Sequence, residues 1–589
     1  METWPSTLAE IPNIWVADFE FRHPEGGLPE PRCLVIQNWR TREIFRWWLI
    51  GEKLECPITA SDLLVAYYAS AEMSCFLALG WKVRPRILDL FVEFKTELGG
   101  RAPRFGHGLL DACQHYGLAS GTSEAKAENR ALAQQEQFTE QERTQLLDYC
   151  QSDVEATTAL LDKMATKIDL PRALLRGRYM AAAAAIERAG IPVDTRSLRA
   201  IQSGWGSCCA ALVKSIDADF GVFEGTTFKE NRWLDYCERK GIFWPRLPSG
   251  ALDFKDEVFR QMSALHPEIQ PMRELRATLS QMKLSALAVG PDGRNRYMLS
   301  AFRSITGRNQ PSNQKAIFGP ATWIRHLIKP IKGRAVCYID YEQQEFGVAA
   351  ALSGDKNMMA AYATGDPYLA FAKQAGAVPQ DATKASHPEI RELYKTTALG
   401  VQYGSGAEAL AIRLGKTKEH AKALLHHHRT VYADFWRWSD AAATRGMLER
   451  PLVTVFGWRT FGKGDGNPRT FRNFPAQANG AEMLRIAIIA LVECGITVCA
   501  PVHDAVLIEA PEPEIDSVVG TARAIMEAAS RAVLGGFTIR TESKIVRYPE
   551  RYTEKRGTEM WEKLVTLLGL ECAESAPTMC RNSTTVSSN

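Results

Sequence analysis

The chain has 589 residues, of which 46% are hydrophobic and 24% charged, and its formal net charge is +3. That length is too great for one hydrophobic core, so about three to five domains or subdomains are expected in an otherwise ordinary soluble globular composition. No stretch of about 20 apolar residues is present, which excludes a membrane-spanning helix.

In chain order, residues 11–165 read as an α/β unit. I-W-V-A-D-F-E-F, C-L-V-I-Q-N-W and L-L-V-A-Y-Y are strands. Ala71 to Leu79 is patterned as a helix, and so is Glu136 to Thr166, with Leu146, Leu147, Cys150, Val154 and Leu161 at intervals of three or four. The Trp-rich W-R-T-R-E-I-F-R-W-W reads as strand and core, not as a stacking platform. Residues 170–300 are mainly helical, broken by P-R-L-P-S-G and G-P-D-G. Residues 334–352 give a strand, A-V-C-Y-I, and then a helix, and Asp355 to Thr444 is helical almost throughout. Strands return in 451–510 around a helix from Gly480 to Glu493. The tail from Ala573 to Asn589 is expected to be disordered.

Thirteen cysteines are scattered with no C-x-x-C pair, and with no signal-peptide pattern at the N-terminus they read as reduced thiols in a cytosolic setting. Between Arg273 and Arg334 twelve Lys or Arg face two acids, Glu274 and Asp292. That stretch is either a solvated face or a phosphate-backbone contact. Three consecutive histidines, His426 to His428, point in different directions on a helix and make a poor metal site.

Three segments carry chemistry. In Y-I-D-Y-E-Q-Q-E-F, Asp340 ends an apolar strand. In P-V-H-D-A-V-L-I-E, Asp504 stands at a tight turn between two strands, so a hairpin tip brings it beside Asp340. In R-E-L-Y-K-T-T-A-L-G-V-Q-Y-G, Arg391, Lys395, Leu399 and Tyr403 share one helix face. Either Asp alone reads as a turn former or helix cap, and the helix alone as an amphipathic helix with a basic flank. Together they fit two Mg²⁺ ions, about 4 Å apart, with a nucleoside triphosphate for phosphoryl transfer. Near the N-terminus Asp18 and Glu20 alternate on one strand face, and Tyr149 and Asp153 lie one helical turn apart.

These segments resemble the three polymerase motifs of the family A DNA polymerases, the bacterial DNA polymerase I family. D-Y-E-Q-Q-E-F-G stands for the family's D-Y-S-Q-I-E-L-R, the Arg391–Gly404 segment for R-x-x-x-K-x-x-x-F/Y-G-x-x-Y-G, and V-H-D-A for V-H-D-E. The resemblance implies a right-hand fold in which Asp340, Tyr341 and Asp504 serve the metals. Arg391, Lys395, Leu399, Tyr403, Gln343 and His503 would then serve the nucleotide, and Glu345 would crowd the sugar 2′ position. T-G-R at Thr306–Arg308 with P-S-N-Q, and R-T-F-R-N-F-P-A-Q, are similar to the family's primer–template segments. They imply DNA contacts by Arg308, Asn313, Gln314, Arg469, Asn473 and Gln477, and Lys283 is a further backbone candidate. The chain departs from the pattern at Leu399, where the family has an aromatic residue, at Ala505, where it has a glutamate, and at Gly347, where it has an arginine.

The N-terminal pattern resembles the DnaQ-like 3′–5′ exonuclease, with D-x-E at Asp18 and Glu20, Y-x-x-x-D at Tyr149 and Asp153, and Glu72 aligned with a mid-domain aspartate. These four carboxylates would hold metal, and Tyr149 would orient the attacking water. The implied architecture is α/β and α+β, an RNase H-like exonuclease domain (1–168) followed by a polymerase. The polymerase divides into thumb and linker (169–300), palm (301–354 and 446–556), fingers (355–445) and a C-terminal helix with tail (557–589). The expected cofactor is Mg²⁺, two per active site, with Mn²⁺ as substitute. The expected partners are primer–template DNA and deoxynucleoside triphosphates, together with a helicase and a single-strand binding protein. A monomer without membrane contact is expected. The absence of a 5′ nuclease segment before Asp18 implies a bacteriophage replication enzyme working in the bacterial host cytoplasm. The competing readings are a single-subunit RNA polymerase and a 3′–5′ exonuclease whose polymerase site is degenerate.

Overall fold

The computed structural model describes residues 5–119, 121–247, 249–280, 286–319, 321–402, 404–462 and 466–570. Lys283, Tyr403 and the tail 573–589 lie outside the described residues. Two compact units interleave along the chain. One comprises Met1–Ile191, Ala288–Ala316 and Val336–Ile545, and the other Pro192–Leu287, Ile317–Ala335 and Val546–Asn589.

The first unit contains a five-stranded and a four-stranded sheet, besides a two-stranded ribbon of Pro451–Val453 and Arg459–Phe461. Five strands, β1 (Ile14–Arg22), β2 (Glu30–Asn38), β3 (Ile44–Trp48), β4 (Leu63–Ala66) and β5 (Arg86–Asp89), are ordered β3-β2-β1-β4-β5. The β1–β2 and β2–β3 pairs are antiparallel, whereas β1–β4 and β4–β5 are parallel. The Trp-rich segment supplies β3 as expected; β5 was not expected, because R-I-L-D is too short to display a period. Four helices used below are α1 (Ser70–Ala78), α2 (Leu90–Leu98), α3 (Ser123–Ala133) and α4 (Glu140–Met164). A capping box starts α4: the Glu142 N–H donates to the Thr139 hydroxyl at 3.3 Å and the Thr139 N–H to the Glu142 carboxylate at 2.7 Å. Leu146, Cys150, Val154 and Leu161 form its buried stripe against β1 and β2, while Leu147 is only half-buried.

The second sheet is ordered β7-β8-β6-β9, from β6 (Arg334–Tyr341), β7 (Thr497–Val502), β8 (Ala505–Pro511) and β9 (Thr541–Arg547). Edge strand β9 escaped the sequence reading because T-E-S-K-I-V-R carries charge and few apolar residues, as edge strands commonly do. The helix α5 (Leu170–Ala189) packs on α1 and β5 and also on β7 and the later helix α8. Around the second sheet stand α6 (Gln344–Ser353), α7 (Pro388–Gln402), α8 (Pro468–Glu493) and α9 (Ile515–Val533). The expected helix from Gly480 therefore begins twelve residues earlier, at Pro468. Asn467 caps it, its side chain accepting from the Arg469 N–H at 3.0 Å, and Pro at the first position suits a helix start. Pro475 inside it removes one backbone donor, and the Asn479 side chain takes up the Pro475 carbonyl at 2.8 Å. His428 is fully buried and accepts from the Trp436 indole at 3.1 Å, packed as a core residue against Phe371 and Tyr432.

The second unit is helical, with Thr195–Ile216, Glu230–Lys240, Asp256–Leu265, Gln270–Ser280 and Lys555–Leu568. An aromatic core of Phe220, Phe228, Trp233, Trp244 and Phe259 fills part of it. Arg276 lies 4.1 Å from the Phe228 ring and 4.5 Å from that of Phe259. This narrows the reading of the basic stretch. Arg276 stacks on aromatics, Arg294 pairs with buried Glu509 at 2.7 Å, Arg296 with Asp292 at 2.6 Å, and Arg325 with Glu554. These four of the twelve cations are engaged inside the fold. Among the described residues no helix is long and apolar enough to cross a membrane.

The approach of α5 to β5 leaves no room at Gly177, where an added Cβ would stand 2.0 Å from the Ile87 carbonyl oxygen. Gly177→Ala is expected to destabilise the protein by about 1–3 kcal/mol through overpacking. Gly206→Ala, at a helical glycine with nothing within 4 Å, should instead stabilise by about 0.5–1 kcal/mol. Urea denaturation of both variants decides it, and equal midpoints would contradict the close approach.

Candidate active sites

Asp340 is the penultimate residue of β6, and Asp504 occupies the two-residue turn between β7 and β8. Because β8 lies next to β6 in the sheet, the turn comes beside Asp340, and the two carboxyls hydrogen-bond to each other. The backbone is bent sharply next to each: Gln343 has φ +47° and His503 φ +58°. For side chains of this kind such angles cost about 1–3 kcal/mol each and cluster at functional sites. Burial pushes Asp340 up to about 8, helped by the charges of Asp504 and of Glu542 on β9. Burial and the Glu345 charge raise Asp504 to about 6, opposed in part by Arg308. Asp340 Oδ1 is buried without a hydrogen-bond partner. Two carboxyls forced together, one oxygen unpartnered, are a donor set for a divalent cation.

The T-G-R loop that delivers Arg308 is tied down. Arg485, ion-paired with Glu482 at 3.1 Å where both are 6% exposed, donates to the Gly307 carbonyl at 2.7 Å. The Trp458 indole donates to the Ile305 carbonyl at 2.8 Å. Asn313 and Gln314, expected beside Arg308 at DNA, are exposed on the loop that follows.

On α7, Arg391, Lys395 and Leu399 share a half-buried face as expected. Arg391 is ion-paired with Asp366 and lies 5.8 Å from the Tyr368 ring, and Lys395 is 3.4 Å from Glu392. Gly404, at φ +70°, accepts from Arg469 Nε at 3.0 Å, and a Cβ there would stand 2.5 Å from the Arg469 side chain. Arg469, Asn473 and Gln477 lie four apart along α8, so the longer helix places them on one face. Asn473 Oδ1, Gln343 Oε1 and both side-chain polar atoms of Gln402 are buried without partners, as is Arg308 Nε. The Tyr341 phenol is buried and donates to the Met526 carbonyl at 2.7 Å, which leaves the Tyr341 backbone, and not its side chain, for a metal. At Gly347 a Cβ would meet Ile539 at 2.4 Å and Tyr362 at 3.0 Å, leaving no room for an arginine. Arg540 stands nearby instead, 4.2 Å from the Tyr362 ring and 3.1 Å from Glu342.

On the first sheet, Asp18 and Glu20 of β1 and Asp153 of α4 bring ligand atoms within 4.8 Å of one another. Burial raises Asp18 to about 8, and burial with the Asp18 charge holds Glu20 well above its ordinary range. Burial raises Asp153 too, although the Lys126 charge and a hydrogen bond from Tyr149 oppose it. The Cys150 thiol lies 3.4 Å from Asp18 Oδ2. Glu72 falls outside the triplet. It sits in the first turn of α1, buried, with Oε2 unpartnered, and burial and the Asp18 charge hold its carboxyl well above the ordinary range. The turn before it is held by Asp89, which accepts from the Ala69 N–H at 2.7 Å, and by Tyr68 at φ +79°. Lys126 and Arg130, one turn apart on α3, were missed by sequence reading; E-A-K-A-E-N-R shows the spacing but nothing that aims it at β1.

The folded chain keeps a proton on Asp340 that the unfolded chain releases above its ordinary value of 3.8. Metal-free stability should therefore fall as pH rises from about 4 to 8. Asp340→Asn removes that loss, so calorimetry in chelator should show its Tm advantage over wild type growing between about pH 5 and 8.5. Mg²⁺ should raise the Tm of wild type more than that of the variant, and a constant offset at both pH values would contradict this electrostatic account.

The family model for DNA polymerase family A matches residues 272–544. The thermostable DNA polymerase I of Thermus aquaticus is 24% identical over 374 residues, covering 58% of this chain and 44% of that protein, so the chain spans less than half of its length. The DNA polymerase of Mycobacterium phage L5 is 23% identical over 486 residues, 77% of this chain and 78% of that protein. The POL domain of Pol1 from M. smegmatis, solved in complex with DNA primer-template and dNTP, aligns with TM-score 0.68 at 18% identity, over 90% of this chain and 94% of that one. Its fold is therefore shared, with mixed α and β content. Residues 272–544, a little under half of the chain, are thus similar to DNA polymerase family A.

Proposed function

We propose that the chain is a DNA-directed DNA polymerase that extends a primer on a DNA template, with a 3′–5′ proofreading exonuclease in residues 1–168, and that it serves phage DNA replication. The observation that carries the reading is the Asp340–Asp504 pair, with an unpartnered buried oxygen, at the end of a sheet strand. The second sheet with 301–354 and 446–556 is the palm, the helices of 355–445 the fingers, and 169–300 the thumb and linker.

Asp340 and Asp504 would hold two Mg²⁺ ions, or Mn²⁺ in their place. When bound, the metal supplies Lewis acidity to the attacking hydroxyl and neutralises charge on the departing pyrophosphate. Arg391 and Lys395 meet the triphosphate, and for this both must exchange their present partners, Asp366 and Glu392. That exchange suits a helix that closes on a matched nucleotide. Glu345, Gln343 and His503 frame the sugar and phosphates. Arg308, Arg469, Asn473 and Gln477 face primer–template, with Asn473 offering a buried acceptor. In the exonuclease, Asp18, Glu20 and Asp153 would hold metal and Tyr149 would orient water through its bond to Asp153. The protein would act as a monomer in the host cytoplasm, alongside a helicase and a single-strand binding protein.

A labelled primer–template with Mg²⁺ and four deoxynucleotides tests both centres. Wild type should extend and excise, Asp504→Ala should only excise, and Asp18→Ala should only extend. Excision without extension by wild type would leave a nuclease with a polymerase-shaped grip, and ribonucleotide incorporation would favour an RNA polymerase. Leu399→Phe adds a ring where leucine only fills volume. It should lower the KM for deoxynucleotides and weaken dideoxynucleotide discrimination in single-nucleotide kinetics, and unchanged constants would remove Leu399 from the nucleotide site.

A further inference from the structure

Strand β9 lies beside β6 at the edge of the second sheet. The Glu342 N–H donates to the Arg540 carbonyl at 2.9 Å, and the Cys337 thiol meets the Lys544 backbone. Those two contacts make the strands antiparallel and put Glu542 directly opposite Asp340. Directly opposite residues project from the same face, with Cβ atoms about 4.5–5.5 Å apart. The burial pattern agrees: the neighbouring pair Tyr341 and Thr541 is buried, whereas Asp340 is half-buried and Glu542 exposed. Asp504 reaches Asp340 from the other side, since β8 is the other neighbour of β6. Asp504, Asp340 and Glu542 thus stand in a row across one end of the sheet. Among the described residues the Glu542 carboxylate has no hydrogen bond or ion pair to hold it elsewhere. The hairpin itself offers no third acid, because Ala505 is fully buried at 0% exposure and faces the core.

We propose that Glu542 is the third carboxylate of the polymerase metal centre, a ligand delivered by the edge strand opposite Asp340 and not by the hairpin that carries Asp504. This rests on the reading of Asp340 and Asp504 as metal ligands given above. A glutamate suits the place: its longer side chain spans from the edge strand toward the Asp340–Asp504 pair. Its exposure lets it swing between solvent and an arriving metal–nucleotide complex. A carboxylate added on this side also offsets cation charge that two aspartates alone leave uncompensated.

The test uses the full chain in an Asp18→Ala/Asp153→Ala background, so that metal bound at the first sheet does not contribute. Mn²⁺ alone is titrated and the free ion read by electron paramagnetic resonance, for the parent, Glu542→Gln and Glu542→Asp. Glu542→Gln should weaken Mn²⁺ binding by about tenfold or more, the usual scale for losing a group at a metal site. Glu542→Asp keeps the charge but is one methylene shorter, so it should also bind more weakly than the parent. The Mg²⁺ concentration for half-maximal primer extension should rise in the same order. Parent-like Mn²⁺ binding by Glu542→Gln overturns the proposal. So does parent-like binding by Glu542→Asp with loss only in Glu542→Gln, because then the charge acts through space and not as a ligand. If the parent binds Mn²⁺ but extends no primer, the polymerase reading fails while the Mn²⁺ titrations still decide the role of Glu542.

Discussion

Everything built around the second sheet answers to one electrostatic constraint: two aspartates must stand in contact where little water reaches them. Two like charges about 4 Å apart repel by about 4 kcal/mol at the effective dielectric of a partly buried site. The fold does not relieve this. It adds Glu345 beside Asp504 and Glu542 beside Asp340, with Arg308 opposing in part at Asp504. A bond between the carboxyls and a retained proton make the arrangement tolerable without metal, and a divalent cation is the group that would replace that proton. The first sheet repeats the solution with Asp18, Glu20 and Asp153, moderated by Lys126 from α3.

Such strain persists only where the surroundings over-determine it. Helix α5 supplies much of that rigidity in the first unit, packing on α1 and β5 on one side and on α8 and β7 on the other. Its Arg176 is bound through two 2.7 Å hydrogen bonds to Glu93 of α2, at 7% and 5% side-chain exposure. One charge left there without the other would cost about 3–5 kcal/mol. Arg485 on α8 plays the matching part for the loop that carries Arg308. The Arg176–Glu93 pair and the Arg485 bond to the Gly307 carbonyl each join segments far apart in the chain, so the carboxylates sit on elements fixed from several directions.

The long elements and the motif residues were legible because each rests on a local rule. Alternation placed Asp18 and Glu20 on one face, spacing by four aligned Arg391, Lys395 and Leu399, and turn chemistry put Asp504 at a hairpin tip. What escaped depends on the partner strand or helix. Strand β9 has no apolar period to announce it, so Glu542 looked like any surface glutamate until the register set it opposite Asp340. Helix α8 began early because Asn467 and Pro468 form a good start and Pro475 is absorbed. The basic stretch misled because charge counts do not show that Arg294 and Arg296 are paired or that Arg276 is stacked.

Leu399 and Ala505 departed from the resemblance and suggested a weakened centre. Their surroundings argue otherwise. Ala505 is buried on the core side of β8, so a glutamate there would need a different local path to reach the pair. Arg391 and Lys395, which we propose meet the triphosphate, stand on α7 held by Asp366 and Glu392. An abandoned site would have no reason to keep two like-charged carboxyls in contact, an unpartnered Asp340 oxygen and buried acceptors on Asn473 and Gln343. Each is a standing cost to stability that apolar substitution would remove. Their persistence together is the physical argument that this centre is built to work.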